Sequence, residues 1–131
     1  MNCMKISTNL KCDTCGQPVK NSEDAMMVWE PWKSYYEHQD WLKLKPIMKI
    51  VHKVKSCSEA TLKEYSHSME LSEIANGKSR DELNVMVWDM ELSKLNLSLL
   101  LRRVFSDFNE AEFFKFSVED YQNYHKKSVE W

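Results

Sequence analysis

The sequence predicts an α+β fold in which a small zinc-bound β module, a knuckle with two or three short strands, precedes a mainly helical region. A Cys-x-x-Cys-Gly motif stands at Cys12–Gly16, and His52 and Cys57 follow it. The 131 residues include only two glycines, too few for a hairpin-rich all-β fold. The stretch 41–58 carries five lysines and no acid, whereas 59–91 carries eight acids and three bases. We therefore expect a zinc-binding module over 1–58 and a helical region over 59–131, packed together as one compact unit.

Composition narrows the class of protein. Hydrophobic residues make up 43% of the chain, which indicates a folded domain. The net charge of -2 favours neither nucleic acid nor membrane as a general partner. Met1–Leu10 lacks the apolar centre of a signal peptide, and no run of about eighteen apolar residues occurs, so we expect a cytoplasmic protein without a membrane span. Four cysteines in such a protein indicate reduced thiols or metal ligation.

Two strands are predicted within the first region. Ala25–Trp29 is a short apolar run after a polar turn, which is typical of a strand. Residues 47–54 alternate, with one face predicted to point inward and the lysines on the other. The inward face comprises Met48, Ile50, His52 and Val54.

Helices are predicted after residue 58. A helical stripe formed by Leu62, Tyr65, Met69 and Ile74 ends at a helix stop, Asn76-Gly77. Ser79 and Glu82 match a capping box, so a helix begins near Arg80, and whether it continues past 93–96 is left open. Residues 109–116 suggest a short helix, and Ser117 with Asp120 caps a last one.

Four residues are predicted to hold one structural zinc ion. Zinc favours a tetrahedron of thiolate and imidazole ligands, and a Cys-x-x-Cys turn directs two sulfurs at one ion. A helix beginning near Ser58 would place its N-terminus beside Cys57 and favour the thiolate there. The predicted ligands are Cys12, Cys15, His52 and Cys57. Cys3 is the rival fourth ligand, and two reduced surface cysteines with an unrelated core cysteine remain the alternative without metal.

No catalytic constellation accompanies the predicted site. The chain contains neither a His-Glu-x-x-His motif nor a deaminase-type zinc motif, and a site with four protein ligands leaves no position for a reactive water. The two glycines also argue against a phosphate-binding loop. We therefore expect the protein not to be an enzyme.

Two further groups of residues suggest partners. Aromatic residues are enriched at protein interfaces, although they can equally cover a small zinc module. The predicted protein-binding residues are Trp32, Tyr35, Tyr36 and Trp41. Lysines can contact phosphates, although a solvated strand face is the simpler explanation. The lysines concerned are Lys43, Lys45, Lys49, Lys53 and Lys55.

The stretch from Lys11 to Cys57 resembles a group of small bacterial and phage zinc-binding proteins. The motifs that carry this resemblance are Cys12-Asp13-x-Cys15-Gly16-x-Pro18-Val19, Asp24-Ala25-x-x-x-Trp29-Glu30 and Ile50-Val51-His52-Lys53 with Cys57. A knuckle, two strands and a helix with the last ligand resemble a treble-clef or zinc-ribbon arrangement. The aromatic insertion Pro31–Trp41 departs from the pattern. The resemblance implies metal ligands and a compact fold, and it implies no activity.

These observations favour a zinc-stabilised adaptor or inhibitor that binds another protein. From the resemblance we expect a phage or mobile-element origin and a host defence protein as target, in the manner of an anti-CRISPR protein. A homo-oligomer is a further expectation. The alternative is a zinc-containing regulator that binds DNA or RNA through its lysines.

Overall fold

The structure of the protein, a computed structural model, describes residues 3–30 and 47–129, with side chains described through residue 126. It confirms the predicted α+β class: a small antiparallel sheet forms early in the chain, and a mainly helical region follows. None of the helices in the described ranges is long and apolar enough to cross a membrane.

The sheet has three strands in the order β2-β1-β3, where β1 is Ala25–Trp29, β2 is Met48–His52 and β3 is His67–Glu70. Met27 of β1 pairs with Ile50 on one side and with Met69 on the other. The central strand is buried on both faces, which explains why β1 is an almost continuous apolar run. Both predicted strands are thus present, and a third is added.

The predicted inward face of the second strand is partly wrong. Met48 and Ile50 are buried as expected, but β2 ends at His52. Val54 lies beyond the strand and is exposed, because the chain has already turned to begin a helix at Lys55. Val51, on the opposite face from Ile50, is buried as well. Both faces of the strand are therefore covered, and buried residues alternate with exposed ones less regularly than the sequence suggested.

The continuous helical stripe predicted from Leu62 onwards is also wrong. Helix α1 is Lys55–Glu64, and the chain then becomes extended and forms β3 before helix α2, Leu71–Ala75. Tyr65 and Met69 are buried, as the stripe required, but Met69 is buried by its pairing with β1. Pairing with a distant strand overrode a spacing that also fits a helix.

The remaining helices follow the predicted order. They are α3, Arg80–Trp88; α4, Lys94–Val104; α5, Glu110–Phe113; and α6, Val118–Val129. Gly77 ends the helical stretch with a positive φ of 79°, as its residue type predicted. A turn in which Met90 also has a positive φ, 63°, separates α3 from α4, which settles the open question of one helix or two.

Two predicted helix caps have different outcomes. Ser117 and Asp120 form the reciprocal pair, in which each side chain accepts from the other residue's backbone N–H. Ser79 does precede α3, but its hydroxyl donates to a Glu73 carboxylate oxygen at 3.4 Å and does not cap the helix. The short helix predicted over 109–116 is confined to α5 and begins after the cap residue Asn109.

One cluster of buried apolar residues joins the sheet to the helices. Helix α4 contributes Leu97, Leu101 and Val104, all fully buried. The N-terminal segment returns to the end of this helix, where the Ser7 N–H donates to the Val104 carbonyl at 2.8 Å. The sheet, with its outer strand β2, is thereby held against α4, and this outer strand carries the candidate site.

Candidate metal centre

The Cys12–Gly16 segment forms a tight turn around a sulfur atom. The Gly16 N–H donates to the Cys12 carbonyl, and the Cys12 N–H donates to the Gln17 carbonyl, each at 2.9 Å. The Thr14 N–H points at Cys12 Sγ at 3.3 Å. Gly16 has a φ of 74°, a conformation that glycine adopts without a Cβ penalty. The turn thus has the backbone geometry of a metal-binding knuckle.

His52, at the end of β2, directs one ring nitrogen at the thiols. Its Nδ1 lies 3.3 Å from Cys15 Sγ and 3.8 Å from Cys57 Sγ. Its Nε2 lies 3.1 Å from the Pro18 carbonyl oxygen, which can only accept a hydrogen bond. Nε2 must therefore carry the proton, and Nδ1 presents its lone pair to the sulfurs. Fixing a ligand histidine through its second nitrogen is typical of metal sites.

The four predicted ligands form one group whose donor atoms all lie within 4.8 Å of one another. A tetrahedral zinc ion separates two sulfurs by about 3.8 Å and a sulfur from a nitrogen by about 3.5 Å. The measured sulfur–nitrogen distances of 3.3 and 3.8 Å bracket the second value. All four cysteines of the chain are free thiols. The group, Cys12, Cys15, His52 and Cys57, therefore fits a metal site.

The pKa values of the two buried thiols of the group, Cys12 and Cys57, are shifted in opposite directions. Burial raises the pKa of Cys12, but the backbone N–H groups of Cys15, His52 and Thr14 outweigh it and lower the pKa to about 6. Burial raises the pKa of Cys57 to about 11, and the neighbouring cysteine sulfurs add to this rise. Without a cation, one thiolate is therefore favoured and a second is opposed. A bound divalent cation reverses this opposition, since it favours every thiolate around it.

Asp13 holds the knuckle against β2, a role that the sequence did not reveal. The outer edge of β2 faces away from β1, and an open edge leaves backbone groups without partners. At this edge the Asp13 N–H donates to the Ile50 carbonyl, and the Ile50 N–H donates to Asp13 Oδ2, each at 2.8 Å. The His52 N–H points at Cys12 Sγ at 3.4 Å. Arg103 of α4 donates to the same Asp13 oxygen at 3.3 Å.

The last ligand lies in the first turn of α1. Cys57 is the third residue of this helix, which begins three residues earlier than Ser58. The Thr14 hydroxyl donates to the Cys57 carbonyl at 3.2 Å and ties the knuckle to the helix. Cys3, the rival ligand, is exposed and lies outside the group of four.

The residues predicted to bind partners are only partly described. Trp32, Tyr35, Tyr36, Trp41, Lys43 and Lys45 lie outside the described residues. The other three lysines do not share one strand face, because Lys53 and Lys55 follow the end of β2. Lys53 pairs with Glu70 at 2.7 Å, and this hydrogen bond raises the pKa of the lysine. Lys49 is half-buried and lies over the Tyr65 ring at 5.7 Å, whereas Lys53 and Lys55 are both exposed.

The residues on either side of the Cys12–Gly16 turn pair with one another like the arms of a hairpin. Lys11 and Pro18 form an isolated antiparallel bridge, and the Val19 N–H donates to the Leu10 carbonyl at 2.9 Å. Comparison with models of known protein families, with curated proteins and with solved structures finds no match to this chain.

Proposed function

We propose that this protein is a zinc-stabilised, non-catalytic module that acts by binding another protein. The observation that carries the proposal is the group of three thiols and one imidazole whose donor atoms lie within 4.8 Å of one another. Soft sulfur ligands with one imidazole nitrogen in a tetrahedral set are typical of structural zinc. A bound zinc ion would cross-link the segments that carry the four ligands, and it would stabilise the deprotonated form of the three cysteines.

A structural role follows from the completeness of the donor set. Four protein donors fill a tetrahedral ion, which leaves no position for water or substrate. The donors come from three separate elements, the knuckle, β2 and α1, so that one ion would tie the knuckle to residues 37–45 positions further along the chain. Since the folded chain supplies all four donors at once, metal affinity contributes directly to the free energy of folding.

The protein-binding part of the proposal is supported by exposed apolar side chains. Large hydrophobic residues are exposed on several helices, among them Leu62 of α1 and Leu95 and Leu99 of α4. Contiguous exposed apolar patches mark surfaces that bind proteins, membranes or ligands. The finer form of the proposal is an adaptor or inhibitor, phage-encoded and directed at a host defence protein. Its support is the motif resemblance alone.

The alternative, a DNA- or RNA-binding regulator, has less support. Phosphate binding requires basic side chains whose charge is available. Lys53 is engaged by Glu70, and Lys49 lies against an aromatic ring. Two of the three described lysines of the predicted set are therefore already engaged within the chain.

Elemental analysis of the purified protein tests the metal. We expect one zinc per chain in the wild type, and its loss in Cys57→Ser and in His52→Ala. Cys3→Ser is the matched control, because this exposed cysteine lies outside the group, and it should keep the metal. Iron in place of zinc would show that the site binds a different metal ion than the one we propose. Wild-type protein without metal, or metal retained in both ligand variants, would contradict the proposal.

Affinity capture from a bacterial lysate tests the binding role. A partner captured by the wild type and by Cys3→Ser, but lost in a Trp32→Ala/Trp41→Ala double variant of full zinc content, would support the role and the predicted residues together. A captured nucleic acid that is released as the salt concentration rises would favour the alternative, since lysine–phosphate contacts weaken with salt.

A further inference from the structure

The three cysteines of the candidate metal centre differ in how far they are exposed to solvent. Cys12 is 2% exposed and Cys57 is 6% exposed, whereas Cys15, within the knuckle turn, is exposed. Exposure is one of the properties that decide which cysteine of a protein is oxidised, because a small oxidant reaches an exposed residue before a buried one. Cys15 is therefore the cysteine of the group that an oxidant in solution meets first.

The sulfur of Cys12 lies directly behind Cys15. The Cys15 backbone N–H and the Cys15 side chain both hydrogen-bond to Cys12 Sγ, and the Thr14 N–H points at the same atom at 3.3 Å. The Gly16 N–H closes the turn on the Cys12 carbonyl at 2.9 Å. A sulfenic acid formed at Cys15 would thus have a second cysteine in contact with it, which is the arrangement of an oxidised cysteine beside its resolving partner.

Cys57 is the other thiol near Cys15, but it belongs to a different element. All donor atoms of the group, including these two sulfurs, lie within 4.8 Å of one another. A disulfide requires two sulfurs to approach to about 2.05 Å. Cys12 and Cys15 can make this approach by rotating side chains within one turn. Cys57 is held in α1, where its N–H donates to the Val54 carbonyl at 3.0 Å and its carbonyl accepts from the Thr61 hydroxyl at 3.3 Å, so its approach has to be made between two elements that are each fixed by their own hydrogen bonds.

We propose that Cys15 is the site at which a hydroperoxide oxidises this protein, and that the Cys12–Cys15 disulfide formed as a result removes the zinc ion. This regulation of the site rests on the proposed function, because it requires that zinc is bound. Two of the four donors are lost as ligands when the disulfide forms. His52 and Cys57 remain, and two donors do not complete the tetrahedron of protein ligands that holds structural zinc.

The oxidation takes place in two balanced steps. In the first step the Cys15 thiolate attacks one oxygen of the hydroperoxide, the O–O bond breaks, and the leaving oxygen takes up a proton, which gives water when the oxidant is hydrogen peroxide. Cys15 is then a sulfenic acid. In the second step the Cys12 thiolate attacks the Cys15 sulfur, the S–O bond breaks, and the hydroxide that leaves takes up a proton to give water. The two thiolates together lose two electrons, which the O–O bond accepts.

The knuckle also has contacts to the rest of the molecule in which no sulfur takes part. The Asp13 N–H donates to the Ile50 carbonyl at 2.8 Å, and the Thr14 hydroxyl donates to the Cys57 carbonyl at 3.2 Å. These contacts remain possible after the disulfide has formed, so they favour a turn that stays beside the other two candidate ligands. We therefore expect a dithiol reductant to restore both thiols by thiol–disulfide exchange, and zinc binding with them.

Peptide mapping of the zinc-loaded wild type after treatment with hydrogen peroxide tests the inference. Trypsin cleaves after lysine and arginine, so residues 12–20 form one peptide that holds both Cys12 and Cys15, whereas Cys57 lies in another, 56–63. Remaining thiols are alkylated before digestion. We expect the main disulfide product to be peptide 12–20 without alkylation and lighter by two hydrogen atoms. One zinc ion should be released for each disulfide formed, measured with a chromophoric chelator, and a dithiol reductant with added zinc should reverse both changes.

Two variants supply a control and a test of the first step. Cys3→Ser removes an exposed cysteine outside the group, and it should leave the disulfide and the zinc release unchanged. Cys15→His keeps a zinc donor at the exposed position but forms no sulfenic acid there, so peroxide should release its zinc at least about tenfold more slowly than that of the wild type. The wild-type peptide map decides the inference whether or not this second variant binds zinc.

Three results would overturn the inference. Zinc could stay bound at a peroxide concentration that fully oxidises Cys3. Peptide 12–20 could keep both thiols reduced while zinc is released. The main disulfide could join peptide 12–20 to peptide 56–63, which would make Cys57 the resolving cysteine. A wild-type protein that holds no zinc before oxidation would instead overturn the proposed function and the metal release with it, so elemental analysis before the treatment distinguishes the two failures.

Discussion

The knuckle and helix α4 are stabilised in different ways, although they meet at Asp13 and Arg103. Helix α4 is held by buried leucines, so its stability follows the apolar area removed from water. The knuckle buries little beyond Leu10, Cys12 and Val19, and it is held by hydrogen bonds to sulfur, carboxylate and backbone. A region with so small a core needs a further cross-link to stay folded. The comparison supports the proposal that a bound metal ion supplies this cross-link at the Cys12, Cys15, His52 and Cys57 group.

Replacement of the candidate metal ligand Cys12 should give the largest effect. We expect Cys12→Ser to lose zinc and to destabilise the knuckle strongly, because structural zinc contributes about 10 kcal/mol or more in small zinc-binding peptides. Hydrogen exchange should show loss of protection in the knuckle and β2, with α4 amides affected less. Equal loss of protection in both regions would contradict the proposed difference between them.

A cavity in the α4 core should have the next largest effect. Leu101 is fully buried, so Leu101→Ala should lower the free energy of unfolding by about 2–5 kcal/mol. Denaturant unfolding measures this loss, and elemental analysis should still find one metal ion per chain. Val118→Ala, at a valine that is 59% exposed on α6, is the control and should change stability little.

Loss of the Asp13 carboxylate should weaken metal binding without abolishing it. Residues that orient metal ligands typically change affinity by about 10–100-fold, so we expect Asp13→Ala to bind zinc about tenfold more weakly. Asp13→Asn keeps an acceptor for the Ile50 N–H and should recover part of the affinity. Competition with a chromophoric chelator measures the affinity, and Asp81→Ala, an exposed acid on α3, is the control. Wild-type affinity in Asp13→Ala would show that the knuckle needs no such support.

The cap of α6 should show the smallest effect, and it depends on pH. The Ser117 backbone N–H donates to Asp120, and this bond lowers the pKa of the Asp120 carboxyl. A carboxyl whose pKa is lowered by folding stabilises the fold above its unfolded pKa, and this contribution is lost as the pH falls through the folded pKa. Protection factors of the α6 amides, which correct for the intrinsic slowing of exchange at lower pH, should therefore fall on acidification. Asp120→Asn should have lower protection factors at neutral pH, and they should depend less on pH, whereas a parallel response in both proteins would contradict this role.

The features that the sequence predicted well are local. The Cys12–Gly16 turn, the Gly77 helix stop and the Ser117–Asp120 cap each depend on residues within a few positions of one another. Their geometry is set by backbone sterics and short-range hydrogen bonds, which residue type largely determines. The four candidate ligands were also recognisable, because few residue types bind zinc.

The features that the sequence missed depend on distant partners. Residues 67–70 form β3 because β1 lies beside them, and no local signal distinguished this strand from a helix. In this case a tertiary contact outweighed a local preference. The hydroxyl of Ser79 is a local exception, since it contacts Glu73 only six residues earlier and so does not cap the helix.

The sequence by itself determined the residue types of the metal site, the α+β class and the places where several helices begin and end. Only the tertiary structure decided that Cys12, Cys15, His52 and Cys57 meet, that Asp13 joins the knuckle to β2, and that one side of α4 remains exposed. The physical reason is the separation along the sequence of the residues that interact. Turns and caps are settled by neighbours along the chain, whereas ligand convergence and burial are settled by the packing of segments that the sequence separates by tens of residues.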